Sequence, residues 1–133
     1  MGSFALYAEN KVLDHVVGKA SFTMPTVYLA LFTVTPTHED GTGGTEASLG
    51  NYARKVTAAA NWAAAASGAI ENAQDISFAE CSGAGWGTIN AFAGYDALTG
   101  GNMLFWGALG TPKTIGIGDT AKFAAGALDI TLD

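Results

Sequence analysis

With a single cysteine, Cys81, this 133-residue chain can form no intrachain disulfide. A β-rich domain without that staple suits a reducing compartment or assembly inside a cell. Charge is scarce as well, at 14% of residues against about a quarter in an average domain. Only six residues are basic (Lys11, Lys19, Arg54, Lys55, Lys113 and Lys122), and the net charge is −6. Apart from Arg54-Lys55 they are scattered, which argues against a phosphate-neutralising face and so against nucleic acid as a partner. No stretch approaches the roughly 20 apolar residues of a membrane-spanning helix. The first residues lack the basic segment and apolar run of a signal peptide, and Leu6 stands where an acylation motif starting Met-Gly needs Ser or Thr. No membrane partner is expected.

What the chain does have is apolar residues, 49% of the total, and 18 glycines against 3 prolines. The glycines recur at intervals, as turn punctuation does. One domain over 1–133 is expected, large enough for a real core.

The pattern opens on a helix. Ser3 reads as an N-cap, the apolar residues Leu6, Leu13, Val16 and Val17 recur at helical spacing, and Gly18 reads as the terminating glycine. This helix over 3–18 either packs its apolar face on the rest of the domain or serves as an arm that docks on a neighbouring subunit. From residue 26 onward the signals are β. Thr26–Val34 is a near-continuous apolar run, as in a strand buried on both faces. Residues 37–50 read as one long loop, and Tyr52–Thr57 as a further strand. The alanine-rich stretch 58–68 has helical propensity, but Asn61 and Ser67-Gly68 within it are turn residues and its flanks are strand-like. Ile76–Phe78, Trp86–Tyr95 and Met103–Leu109 read as strands, the last two joined by a glycine-bearing hairpin loop at 96–101. Phe123 reads as part of a short strand. Leu128, Ile130 and Leu132 alternate with Asp129, Thr131 and Asp133, a half-buried strand. Seven or eight short strands with regular turns predict a mainly β fold over 26–133, a β-sandwich or jelly-roll-like barrel with one short N-terminal α-helix.

Residues able to do chemistry are few. His38-Glu39-Asp40 could hold a cation, but adjacent residues rarely converge on one ion, and calcium needs six to eight oxygens. A solvated loop tip is the expectation. His15 beside Asp14 reads as a surface or interface residue. Glu80 next to Cys81 disfavours a thiolate. Gly83-x-Gly85-x-Gly87 has the wrong spacing for a dinucleotide fingerprint and precedes a strand. Gly41-Thr42-Gly43-Gly44-Thr45 lacks the lysine of a phosphate-binding loop. Neither catalytic residues nor a metal or cofactor are expected. The tryptophans Trp62, Trp86 and Trp106, with Phe92, Tyr95 and Phe105, could form a carbohydrate platform, a core cluster or subunit anchors. Core is expected for Trp86 and Trp106. Trp62 is expected to be exposed, or buried only in an assembly. Leu6, Leu13, Val17 and Trp62 are the candidate interface residues.

One ordered set of segments stands out. It runs Glu9-Asn10-Lys11-Val12-Leu13-Asp14-His15, Val27–Thr33, Pro36-Thr37, Gly41–Glu46, Tyr52-Ala53-Arg54, Trp86-Gly87-Thr88, Asp96-Ala97, Gly100–Leu104, Trp106-Gly107 and Phe123–Leu128. This set resembles a widespread family of small tailed-bacteriophage virion proteins often labelled tail fibre proteins, from about Glu9 to Asp133. Asn61-Trp62 and Glu80-Cys81-Ser82 depart from its pattern. The resemblance implies a structural role in the virion and carries over no catalytic residue.

The expectation is therefore a non-enzymatic virion protein made in the host cytoplasm, a decoration or cement protein on the capsid head. It would be a homo-oligomer, a trimer by the symmetry of virions, bound to the major capsid protein or another virion protein. The alternative is a tail-fibre or tail-tip component that binds host glycans. The head is preferred because the sequence shows no fibre shaft: no heptads, no collagen-like repeat and no triple-β repeat.

Overall fold

The computed structural model describes residues 2–132. Met1, and Asp133 at the end of the last alternation, lie outside them. The first element among the described residues is a strand, β1 (Gly2–Phe4), and not a helix. This corrects the reading of Ser3 as a helix cap. The cap position belongs to Ala5, whose extended backbone (φ −81°, ψ 155°) turns the chain with no side-chain cap bond. Helix α1 spans Leu6–Val16. Its first N–H, that of Leu6, donates to the Glu39 carbonyl at 3.1 Å, so a neighbouring loop supplies the partner that a Ser cap would have supplied. The helix ends as expected: Gly18 adopts φ +77° and its N–H reaches the His15 carbonyl.

Strand β2 (Tyr28–Val34) carries four successive buried residues. Leu29 and Leu31 enter the main core, while Ala30 and Phe32 join a second cluster with Ala91, Ala93 and Met103 on the other face. The strand is thus buried on both sides, as its continuous apolar run predicts. The supposed loop at 37–50 is interrupted by β3 (Thr45–Glu46), which pairs antiparallel with β2. The strand expected over Tyr52–Thr57 reduces to β4 (Lys55–Val56), also on β2. The alanine-rich stretch contains only a 3₁₀ turn at Ala59–Asn61, followed by single bridges from Trp62 to Asn72 and from Ala66 to Ala69.

Then come β5 (Ala69–Glu71), β6 (Ile76–Ser77), β7 (Gly87–Tyr95), β8 (Met103–Ile115), β9 (Lys122–Phe123) and β10 (Asp129–Thr131). Strands β7 and β8 form the expected hairpin, and Gly100 and Gly101 supply the positive φ of its loop. In the final alternation Leu128 and Ile130 are buried, but Leu132 is exposed.

The main sheet runs in the order β3–β2–β7–β8–β1–β10–β5, and β6 pairs with β9 in a second, two-stranded sheet. The first and last strands lie side by side: β1 is antiparallel to β8 and parallel to β10, with Gly2 opposite Ile130. The fold is mainly β and sandwich-like, with one short helix. Among the described residues the sheet path stays open and no closed barrel forms. Trp86, Phe92, Leu29, Leu31, Ile89 and Leu128 fill the centre, all essentially inaccessible to water.

Candidate assembly interface

The apolar pattern of α1 is real, but most of it faces outward. Leu6, Leu13 and Val17 are 42%, 64% and 76% exposed, and Val16 is exposed too. Ala8 is the residue that α1 buries, and half-buried Val12 lies one turn on from it. At about 100° per residue, the Leu6–Leu13–Val17 stripe lies about 160° around the helix from Ala8 and about 120° from Val12. The helix is therefore docked through small side chains, with its large ones left outside. The structure brings three of the four candidate interface residues onto one face.

The fourth lies elsewhere. Trp62 is half-buried by its own chain. Its indole N–H donates to Thr57 Oγ1 at 3.1 Å, and its ring meets Phe105 edge-on, with centroids 6.2 Å apart. It borders an apolar groove of about 270 Å³ lined also by Phe4, Val12, Phe22, Ile70 and Phe105.

A cluster that sequence reasoning missed centres on Arg54. Its guanidinium grips Glu46 through two parallel bonds, Nε to Oε2 and Nη2 to Oε1, each 2.9 Å. Nη1 donates to the carbonyls of Ala97 and Gly100 at 2.8 and 2.7 Å, tying the β7–β8 hairpin loop to β3. The guanidinium carbon sits 3.6 Å from the centre of the Tyr95 ring. The Tyr52 hydroxyl donates to Glu46 Oε2 at 2.8 Å and accepts the Leu31 N–H at 2.9 Å. Arg54 has its fork satisfied and its side chain is only 7% exposed. In the sequence it was one of six scattered bases. The signal was the same-face spacing of Tyr52 and Arg54, two residues apart, in a strand-like run.

Burial pushes the Tyr52 phenol far above its usual value. The Leu31 N–H opposes that shift, and the Glu46 carboxylate adds to it. Tyr95 is raised as well, by burial and then by Glu46, with Arg54 opposing. A raised phenol binds its proton more tightly in the folded state, so its contribution to stability is complete below the unfolded value near 10 and is lost above it. Stability should hold up to about pH 10 and then fall as unfolding becomes coupled to phenolate formation. Urea midpoints measured from pH 8 to 12, with phenolate absorbance followed in parallel, check this. Two tyrosines titrating normally in a still-folded chain would contradict it.

The other candidates serve local structure. Asp40 accepts the N–H and hydroxyl of Thr42, which hold its carboxyl below the usual range. His38 bonds Thr37 at the same loop tip, and His15 Nδ1 accepts the Phe22 N–H at 3.1 Å. Cys81 is buried with its thiol on the Ala84 carbonyl. Among the described residues no three His, Cys, Asp or Glu side chains gather into a metal-binding group. The aromatic residues form no exposed platform: Trp86, Phe92 and Phe105 are core, and half-buried Trp106 packs on the second cluster.

A family model described as Podophage GP4 fiber I protein gp80 matches residues 3–131. No curated protein matches the chain.

Proposed function

We propose a role built on one premise: this chain belongs to the Podophage GP4 fiber I protein gp80 family, and it is a structural protein of the phage virion. Its part there is that of a fibre component that works by assembly and not by catalysis. The family's description supports the fibre. The observation that carries the assembly role is the outward apolar stripe of α1, held in place by β1, which leads into the helix and is laddered to β8, and by the Glu39 carbonyl on its first N–H. A monomer that worked alone would gain nothing from a fixed row of exposed Leu and Val. The reading assigns no cofactor and no metal. Synthesis in the host cytoplasm followed by incorporation into the particle completes it.

A second reading is decoration of the capsid head, in contact with the major capsid protein. What favours it is that residues 2–132 build one sheet-based module, and the sequence holds no shaft-forming repeat. Separating virions into heads and tails, then counting this protein in each by quantitative mass spectrometry, distinguishes the two. A small number of copies with the tail or its fibres is the expected result. Hundreds of copies on the head would replace the fibre reading with decoration.

A further inference from the structure

The outward face of α1 has a definite grammar. Leu6, Asn10, Leu13 and Val17 are spaced four, three and four residues apart, which is the d–a–d–a order of a coiled-coil heptad. All four are exposed. Leucine holds both d positions, valine one a position, and a single asparagine the other. Val16, 73% exposed, flanks the row. Two heptads' worth of seam would not hold a free peptide together. Here the helix is already ordered by its own domain through Ala8 and Val12, so pairing need not also fold it.

The charges beside the seam decide which partner and which direction fit. In a parallel pair, Glu9 would face Asp14 of the other helix, a repulsive contact between like charges. In an antiparallel pair, Glu9 lies beside Val16 of the second helix. Asp14 lies beside Tyr7, whose hydroxyl can donate to it. The row is also self-complementary about its midpoint, between residues 11 and 12. A two-fold axis there sets Leu6 opposite Val17 of the second copy, and Leu13 opposite Asn10. It also brings the two Asn10 amides within about 4.5 Å along the axis, in reach of one another.

We propose that α1 pairs antiparallel, about a two-fold axis, with α1 of a second copy of this chain. A two-fold pair then takes the place of the trimer expected from virion symmetry, and isologous two-fold contacts are the commonest in homo-oligomers. The inference deepens the assembly role proposed above. The two fail separately, because this one is read from the purified chain and the other from virions.

Sedimentation of the purified protein over a concentration series tests it. A monomer–dimer equilibrium is expected. Leu13→Glu should weaken it at least about thirtyfold and leave the melting temperature of the monomer unchanged, since Leu13 is exposed. Direction is read by oxidation. Cys81 is buried and does not interfere. A chain carrying both Leu6→Cys and Val17→Cys should cross-link into a covalent dimer. Leu6→Cys alone should not, because the two copies of position 6 would lie about 16 Å apart along the axis, beyond disulfide reach. A monomer at every concentration, a trimer, a dimer insensitive to Leu13→Glu, or efficient cross-linking by Leu6→Cys alone would each overturn the proposal.

Discussion

A chain lacking residues 1–18 is expected not to fold. A detachable arm would leave an intact remainder, but this segment begins with β1, which is laddered to β8 on one edge and β10 on the other. Its removal strips two strands of a neighbour at once. It also takes away Ala5, fully buried, whose N–H donates to the Leu104 carbonyl at 2.9 Å. Each lost backbone bond costs about 1 kcal/mol. With the apolar surface opened as well, the sum approaches the roughly 5–15 kcal/mol that holds a domain of this kind together. A milder variant isolates the strand. A Cβ on Gly2 would stand 2.9 Å from the tip of the Phe92 ring and 2.9 Å from the Trp106 carbonyl oxygen. Gly2→Val should therefore cost about 2–3 kcal/mol by overpacking. Thermal melts followed by circular dichroism read both. A truncated chain that melts cooperatively within a few degrees of the full one would show that β1 and α1 are dispensable.

The second large effect belongs to Arg54. Arg54→Ala should cost about 3–5 kcal/mol, the range for breaking a buried ion pair from one side. It leaves the Glu46 carboxylate, itself only 26% exposed, without its cation, and it frees the carbonyls of Ala97 and Gly100. Arg54→Lys keeps the charge but loses the fork and the flat contact with Tyr95, so about half of that loss should remain. Urea unfolding measures both differences. A change below about 1 kcal/mol for Arg54→Ala would mean that solvent screens the pair far more than its burial indicates.

The parts of the fold that could be read in the sequence are those fixed by local patterns. The near-continuous apolar run over Thr26–Val34 reads as a strand covered on both faces. The glycines at 100 and 101 marked a hairpin between two strong strands. Gly18 marked the end of a helix. What could not be read depends on distant partners. Gly2–Phe4 and Thr45–Glu46 are too short for any periodicity, and they become strands because β8, β10 and β2 offer them open edges. The side of α1 that meets the core was left open for a different reason. Periodicity shows that Leu6, Leu13 and Val17 share a side, and it says nothing about whether that side meets the chain's own core or another molecule. Ala8 was invisible as the docking residue because a small side chain gives little hydrophobic signal. The Arg54 cluster was hidden because its four elements converge from positions 46, 52, 54 and 97–100.

The parallel pairing of the first and last strands also has a mechanical meaning. Strand β1 enters the pair at Gly2, and β10 leaves it past Thr131, at the opposite end of the pair. Tension applied through the two ends therefore pulls these neighbours along their length in opposite directions. The bonds between them are loaded together, in shear, instead of opening one after another as a zip does. On their outer sides, β8 holds β1 and the edge strand β5 holds β10. A module tethered by both ends would resist stretching far better than one whose end strands peel, and β1–β10 would be the clamp that sets its breaking force.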